Sequence, residues 1–158
     1  MEYEKSIGPR LISRIGVYLI LLNRKGELAL LRRSGTGFED GLLSLISGNV
    51  QYGEGIGHAI IREAREECGA DIEPGKLSLV HVMHRFKKKD DERIDFFFYC
   101  ENWDGSLENL EPNKHSDASF YNALDLPSDI IPYHLQGLNL SCRNRFRKAS
   151  WSEYHNQS

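Results

Sequence analysis

The stretch Arg14-Ile15-Gly16-Val17-Tyr18-Leu19-Ile20-Leu21-Leu22 is almost unbroken in apolar side chains and reads as a buried strand. Asn23-Arg24-Lys25-Gly26 follows as a turn. Glu27 to Arg33 reads as the hairpin partner of the first strand, its apolar run closing on two arginines. Ser34 to Gly41 carries three glycines and reads as loop, and Leu42 to Ile46 is a short strand that delivers the chain to Gly48. Beyond a Pro74-Gly75 turn, Leu77 to Phe86 is a strand and the charged Lys87 to Glu92 a solvent-exposed hairpin tip. Ile94 to Cys100, with three consecutive phenylalanines, and the short Ala118 to Tyr121 complete the strands. Helical spacing appears twice, over Ile56 to Cys68 and, after Pro132, over roughly Tyr133 to Arg147. Strands, helix, strands, helix is the order of an α/β domain with a mixed sheet and helices packed on it. The tail from Ser150 is left open between disorder and packing on the domain.

The first helix has the most informative polar pattern. At about 100° per residue, Ile60, Ile61, Ala64 and Cys68 share an apolar face, while Glu63, Glu66 and Glu67 crowd an arc along its border. Like charges one turn apart repel by a few tenths of a kcal/mol when exposed, and by more when desolvated. A hard divalent cation removes the conflict, and Mg²⁺ takes carboxylates together with substrate phosphates. A salt-bridged solvated face, with Arg62 pairing Glu66, explains the same run if it is taken alone.

Composition narrows the setting. A chain of 158 residues is expected to form one domain over 1–158, with a core of its own. Net charge of −3 offers no general basic field, so DNA is not an expected partner. Cys68, Cys100 and Cys142 are widely spaced and show no metal pattern, which suits a reducing cytoplasm. No stretch approaches the ~20 apolar residues of a membrane span, and the first residues lack the apolar segment of a signal peptide.

The acidic helix belongs to a longer pattern. Gly48, Glu54, Arg62, Glu63, Glu66, Glu67 and Gly69 stand at the spacing Gly-x5-Glu-x7-Arg-Glu-hydrophobic-x-Glu-Glu-x-Gly, with Ala64 and Ala70 in the hydrophobic places. The pattern resembles the Nudix box, and the resemblance extends over about residues 12–140. It implies a Nudix-type α/β/α sandwich with a mixed central sheet. It implies one or more Mg²⁺ ions, with Mn²⁺ as a substitute, held by Glu63, Glu66, Glu67 and the Gly48 carbonyl. It also implies a structural ion pair between Glu54 and Arg62. Two departures stand beside it: Ile46-Ser47 precedes the box where Pro-Gly is common, and Gly55 occupies the usual Ser/Thr capping place.

A second tier lies outside the box. Trp103-Asp104-Gly105 followed by Glu111 resembles the Trp-x-Gly…Glu feature of MutT-like members, in which a loop glutamate approaches the metal. Glu66 and Glu111 are therefore both candidates for the general base, beside Glu67 as a catalytic ligand. Alternation on the second strand lets only one of Arg32 and Arg33 face a cleft, and the MutT-like resemblance favours Arg33 as a phosphate clamp. His81 and His84 read as structural, and the basic run Arg143, Arg145, Arg147, Lys148 as a solvated helix end. Asp129 is the one acid in a region suited to reading a base.

The expected activity is metal-assisted hydrolysis of a nucleotide phosphoanhydride. A (deoxy)nucleoside triphosphate split to monophosphate and pyrophosphate is the leading substrate. ADP-ribose, nucleotide sugars, dinucleoside polyphosphates and a triphosphorylated RNA 5′ end are alternatives, the RNA end ranking low. A catalytically silent nucleotide-sensing module is another. The expected partner is a small nucleotide, with no membrane, and the protein a monomer or homodimer.

Overall fold

The computed structural model describes residues 13–86, 92–143 and 149–155. Strand β1 (Arg14–Leu21) is buried along six successive residues. Its side chains alternate between two cores. Val17, Leu19 and Leu21 enter one, with Ile60, Ala64 and Cys68 of helix α1 (Ile56–Cys68). Tyr18 and Ile20 enter the other, with Leu138 of helix α2 (Pro132–Arg143). The unbroken apolar run is thus the signature of a strand covered on both faces. The sheet is the middle layer of an α/β/α sandwich.

That sheet has five strands in the order β4-β1-β6-β5-β8. They are β4 (Ile46–Asn49), β5 (Ser78–Phe86), β6 (Glu92–Cys100) and β8 (Ser150–His155) around β1. β1 runs parallel to β6, and β5 parallel to β8, while the other pairs are antiparallel. The tail that the sequence leaves open is therefore an edge strand. A second, antiparallel sheet of order β3-β2-β7 lies beside it, formed by β2 (Glu27–Arg33), β3 (Leu43–Ser44) and β7 (His115–Asn122).

Two expectations need correction here. β2 is not the hairpin partner of β1. The two touch through a single bridge, Leu22 with Leu28, after which the chain crosses to the other sheet. The expected strand from Leu42 to Ile46 is likewise split between sheets. At the break, the Leu45 N–H donates to Nδ1 of buried His134 at 3.0 Å rather than to a neighbouring strand. The hairpin tip expected at 87–91 and the basic residues Arg145, Arg147 and Lys148 lie outside the described residues.

Helix α1 starts at Gly55 with no side-chain cap and ends at Gly69, whose φ of 74° is the left-handed turn glycine favours. Ala59 replaces the expected Ile61 on the fully buried face, and Ile61 is only half-buried. Among the described residues, no helix is long and apolar enough to cross a membrane.

Candidate active site

Helix α1 packs its small residues against the sheet, so its acidic border lies beside β4. Glu67, only 6% exposed, accepts the Ser47 N–H through Oε2 at 3.0 Å. Glu63 lies against Gly48 so closely that a Cβ there would collide with its carboxylate. Gly48 therefore has to be glycine for steric reasons, although it is ordinary strand backbone. Arg62 reaches back across the loop, donating from Nε to Glu54 at 2.8 Å and from one terminal nitrogen to Glu63 at 2.8 Å. It also reaches Glu66 at 3.2 Å. The guanidinium holds the Glu54 carboxyl down to about 2 and is itself held protonated by these partners.

Glu111 arrives from the other direction. The Trp103 indole N–H donates to the Leu22 carbonyl at 2.9 Å. Gly105, at φ 98°, runs so close to the Gly69 carbonyl that a side chain would not fit. The loop then donates its Glu108 and Leu110 N–H groups, each at 3.1 Å, to the carbonyls of Cys68 and Glu67. These bonds satisfy part of the helix C-terminus and bring the loop to the acidic border. Ligand-capable atoms of Glu67, Glu111 and His115 lie within 4.8 Å of one another. Glu66 is outside this group, half-exposed and bound to Arg62.

His115 was not anticipated. It is 2% exposed and stands 4.0 Å from Glu67. Its only sequence signal is the Glu111-x3-His115 spacing at the start of a strand that begins three residues earlier than expected.

The electrostatics of this corner are unfavourable without a cation. Burial pushes Glu67 up to about 8, and Glu63 and Glu111 push the same way, while the Ser47 N–H opposes them. Burial raises Glu63 despite Arg62. Burial, with Arg33 adding, lowers His115 and favours its neutral, ligating form. Glu111 Oε2 and His115 Nδ1 are buried without hydrogen-bond partners. Two carboxylates, a neutral imidazole and orphaned buried acceptors fit a divalent cation, which would satisfy the acceptors and reverse the pKa shifts.

A cleft of about 360 Å³ opens on the opposite side of β4, lined by Ser47, Gly48 and Asn49 together with Tyr18, Phe38, Tyr133 and four arginines. Arg33 is one of them, its Nε bonded to the Phe38 carbonyl at 2.9 Å. Arg32 points elsewhere and pairs with Asp129 at 2.7 Å. Asp129 is thereby committed and does not line the cleft. His81 is buried against Ser152, and His84 pairs with Glu92, so neither joins the metal-capable group.

Known proteins share this plan. "Nudix hydrolase 5" of Arabidopsis thaliana is 28% identical over 89 residues, 56% of this chain and 29% of that protein. "NAD-capped RNA hydrolase NudC" of Stutzerimonas stutzeri is 36% identical over 72 residues, 46% of this chain and 26% of that protein. The matches span less than a third of the length of either relative. A crystal structure of a MutT NUDIX hydrolase from Burkholderia pseudomallei superposes with a TM-score of 0.73 at 22% identity, covering 82% of this chain and 98% of that one. The NUDIX domain model matches residues 12–138, and the chain belongs to the Nudix family.

Proposed function

We propose that this domain hydrolyses a phosphoanhydride in a nucleotide-linked substrate with the help of Mg²⁺. A nucleoside triphosphate, split to monophosphate and pyrophosphate, is the leading compound. The supporting observation is the convergence of buried Glu67 and His115 with half-buried Glu111, tied through Ser47 to the strand that lines an arginine-bearing cleft.

Glu67, Glu111 and His115, with Glu63 and the Gly48 carbonyl beside them, would hold the ion, with Glu66 as an outer ligand. A cation bound there neutralises phosphate oxygens and acidifies water. Arg33 would offer its guanidinium to a phosphate entering the cleft in exchange for its present contacts with Phe38 and Thr36. Of the two candidate bases, Glu111 is the better placed. Its Oε1 is paired with Lys114 at 2.8 Å but its Oε2 is buried and unpartnered, and it belongs to the group with Glu67 and His115, whereas Glu66 is bound to Arg62 and lies outside that group. Arg62 and Glu54 act on the reaction only by fixing the loop against the helix.

The test is a panel of nucleoside triphosphates, ADP-ribose, nucleotide sugars and dinucleoside polyphosphates with Mg²⁺ or Mn²⁺, read by pyrophosphate and phosphate release. Glu67→Gln and Glu111→Gln are expected to fold and to lose most turnover, with Glu66→Gln losing less. Tight nucleotide binding without metal-dependent release from any compound would overturn the reading and leave a sensing module.

A further inference from the structure

The cleft beyond β4 is built around a row of arginines. Arg14, Arg93 and Arg85 occupy directly paired positions on β1, β6 and β5. Residues paired across neighbouring strands point to the same face, with Cβ atoms about 5 Å apart, and like charges so placed destabilise a sheet. All three line the cleft.

Among the described residues, one carboxylate answers them. Asp95, fully buried behind the row, accepts from Arg85 Nε at 2.8 Å and lies 3.4 Å from Arg93 Nε. Room for Asp95 and Arg93 comes from Gly16, where a Cβ would meet both side chains. Arg93 spends a terminal nitrogen on the Asn49 side chain at 2.8 Å. Arg85 is 5% exposed and lies over the Tyr133 ring at 4.0 Å, which fixes its plane. Its hydrogen bond to Asp95 uses Nε alone, leaving the two terminal nitrogens outside that contact. The positive charges of Arg85, Arg93 and Arg33 also act on Tyr133 and His134.

This is more positive charge than a nucleobase needs. A guanine edge offers two acceptors in the geometry that one arginine satisfies, and an adenine edge only one. The row is also not placed for the scissile linkage, because β4 stands between it and the acidic cluster: Tyr18 belongs to the α2-side core and Glu67 to the α1 side. Resting on the hydrolase reading above, we propose that the cleft binds a second, uncleaved phosphate. The substrate class is then a phosphoanhydride whose cleft-bound portion carries a phosphate monoester or diphosphate of its own. Planar guanidiniums on adjacent strands suit that group: Arg85 keeps both terminal nitrogens outside its contact with Asp95, and Arg93 keeps one outside its contacts with Asp95 and Asn49.

The experiment compares matched pairs differing only in that phosphate: GTP with its 3′-diphosphate derivative, NAD with NADP, and dephospho-coenzyme A with coenzyme A. In at least one pair kcat/KM should be about tenfold or more higher for the phosphorylated member, chiefly through KM. Arg93→Met, and separately the exposed Arg14→Met, should shrink that ratio toward unity with kcat for the plain member retained. Ratios within about twofold across all pairs would overturn the proposal. Calorimetry with adenosine 2′,5′- and 3′,5′-bisphosphate against AMP, without metal, tests it apart from hydrolysis. One bisphosphate binding about tenfold tighter supports the second-phosphate site even where no compound is cleaved, and equal affinities overturn it.

Discussion

Replacing Glu67 by Gln should make the metal-free protein more stable while abolishing its chemistry. The carboxyl is buried and its pKa is raised from 4.5 to about 8. A folded-state pKa above the unfolded value means that the folded protein binds the extra proton. The resulting stability is fully present below pH 4.5 and is lost as pH rises through 8. At 1.36 kcal/mol per pKa unit, ionised Glu67 costs the fold about 3–5 kcal/mol above pH 8. Glutamine carries no such charge, and its carbonyl can still accept the Ser47 N–H that Glu67 accepts at 3.0 Å. Urea unfolding in EDTA should therefore show Glu67→Gln more stable than the parent by about 3–5 kcal/mol at pH 9, and within about 1 kcal/mol of it at pH 5. Adding Mg²⁺ at pH 8 should stabilise the parent by RT ln(1 + [L]/Kd) and leave the variant nearly unmoved. Equal midpoints for the two proteins at pH 9 in chelator would refute the claim that this acid is held against its electrostatic preference. A Mg²⁺ response retained in full by the variant would remove Glu67 from the ion's ligands.

Three further outcomes follow from separate features. His134 is held neutral by burial with a pKa lowered from 6.5 to about 3. Its depressed folded pKa means the unfolded chain takes up the proton as pH falls below 6.5, so stability should drop by about 2–3 kcal/mol between pH 6.5 and 4.5. His134→Asn, whose amide oxygen can accept from the Leu45 N–H, should flatten that part of a urea-midpoint profile. Arg62→Met leaves Glu54, Glu63 and Glu66 without their shared cation. Arg62 keeps about a fifth of its side chain exposed, so the loss should be about 1–3 kcal/mol rather than that of a fully buried pair. Chemical denaturation measures it, and turnover should fall further than stability because the Gly48 loop loses its brace. Gly137→Ala sets a methyl group against the Phe97 ring, where α2 meets the sheet, and should cost about 1–3 kcal/mol by overpacking despite the better helix former. A variant as stable as the parent would show that α2 can slide.

What could be read in the chain beforehand divides along a physical line. Contiguous features were legible. The apolar run of β1, the Gly-x5-Glu-x7-Arg-Glu spacing and the glycine stop at Gly69 each act through neighbours in sequence, and helix α1 has the bounds that its periodicity predicts. Pairing between distant strands was not legible. The β1–β2 turn looks like a hairpin because a turn signal does not reveal that the chain changes sheets after one bridge. Glu66 and Glu67 are adjacent letters of one motif. The register of α1 against β4 makes one a desolvated partner of Glu111 and leaves the other half in water with Arg62.

The arginine row shows the same limit most sharply. Arg14 opens the first apolar run, Arg85 sits in a strand read for its histidines, and Arg93 borders a charged tip; none of the three is close in sequence to both of the others. Only the parallel register of β1 with β6 and the antiparallel register of β5 with β6 turn three scattered cations into neighbours. A motif for the reacting end of a substrate can lie within one loop and helix, because the metal that does the chemistry needs ligands from a small radius. Recognition of the rest of the substrate spans a sheet, so it is written in strand order and register. The box therefore announces the family, while on the proposed reading the cleft sets what this chain accepts. Substitutions along that row should change substrate preference with little effect on the acidic corner across β4.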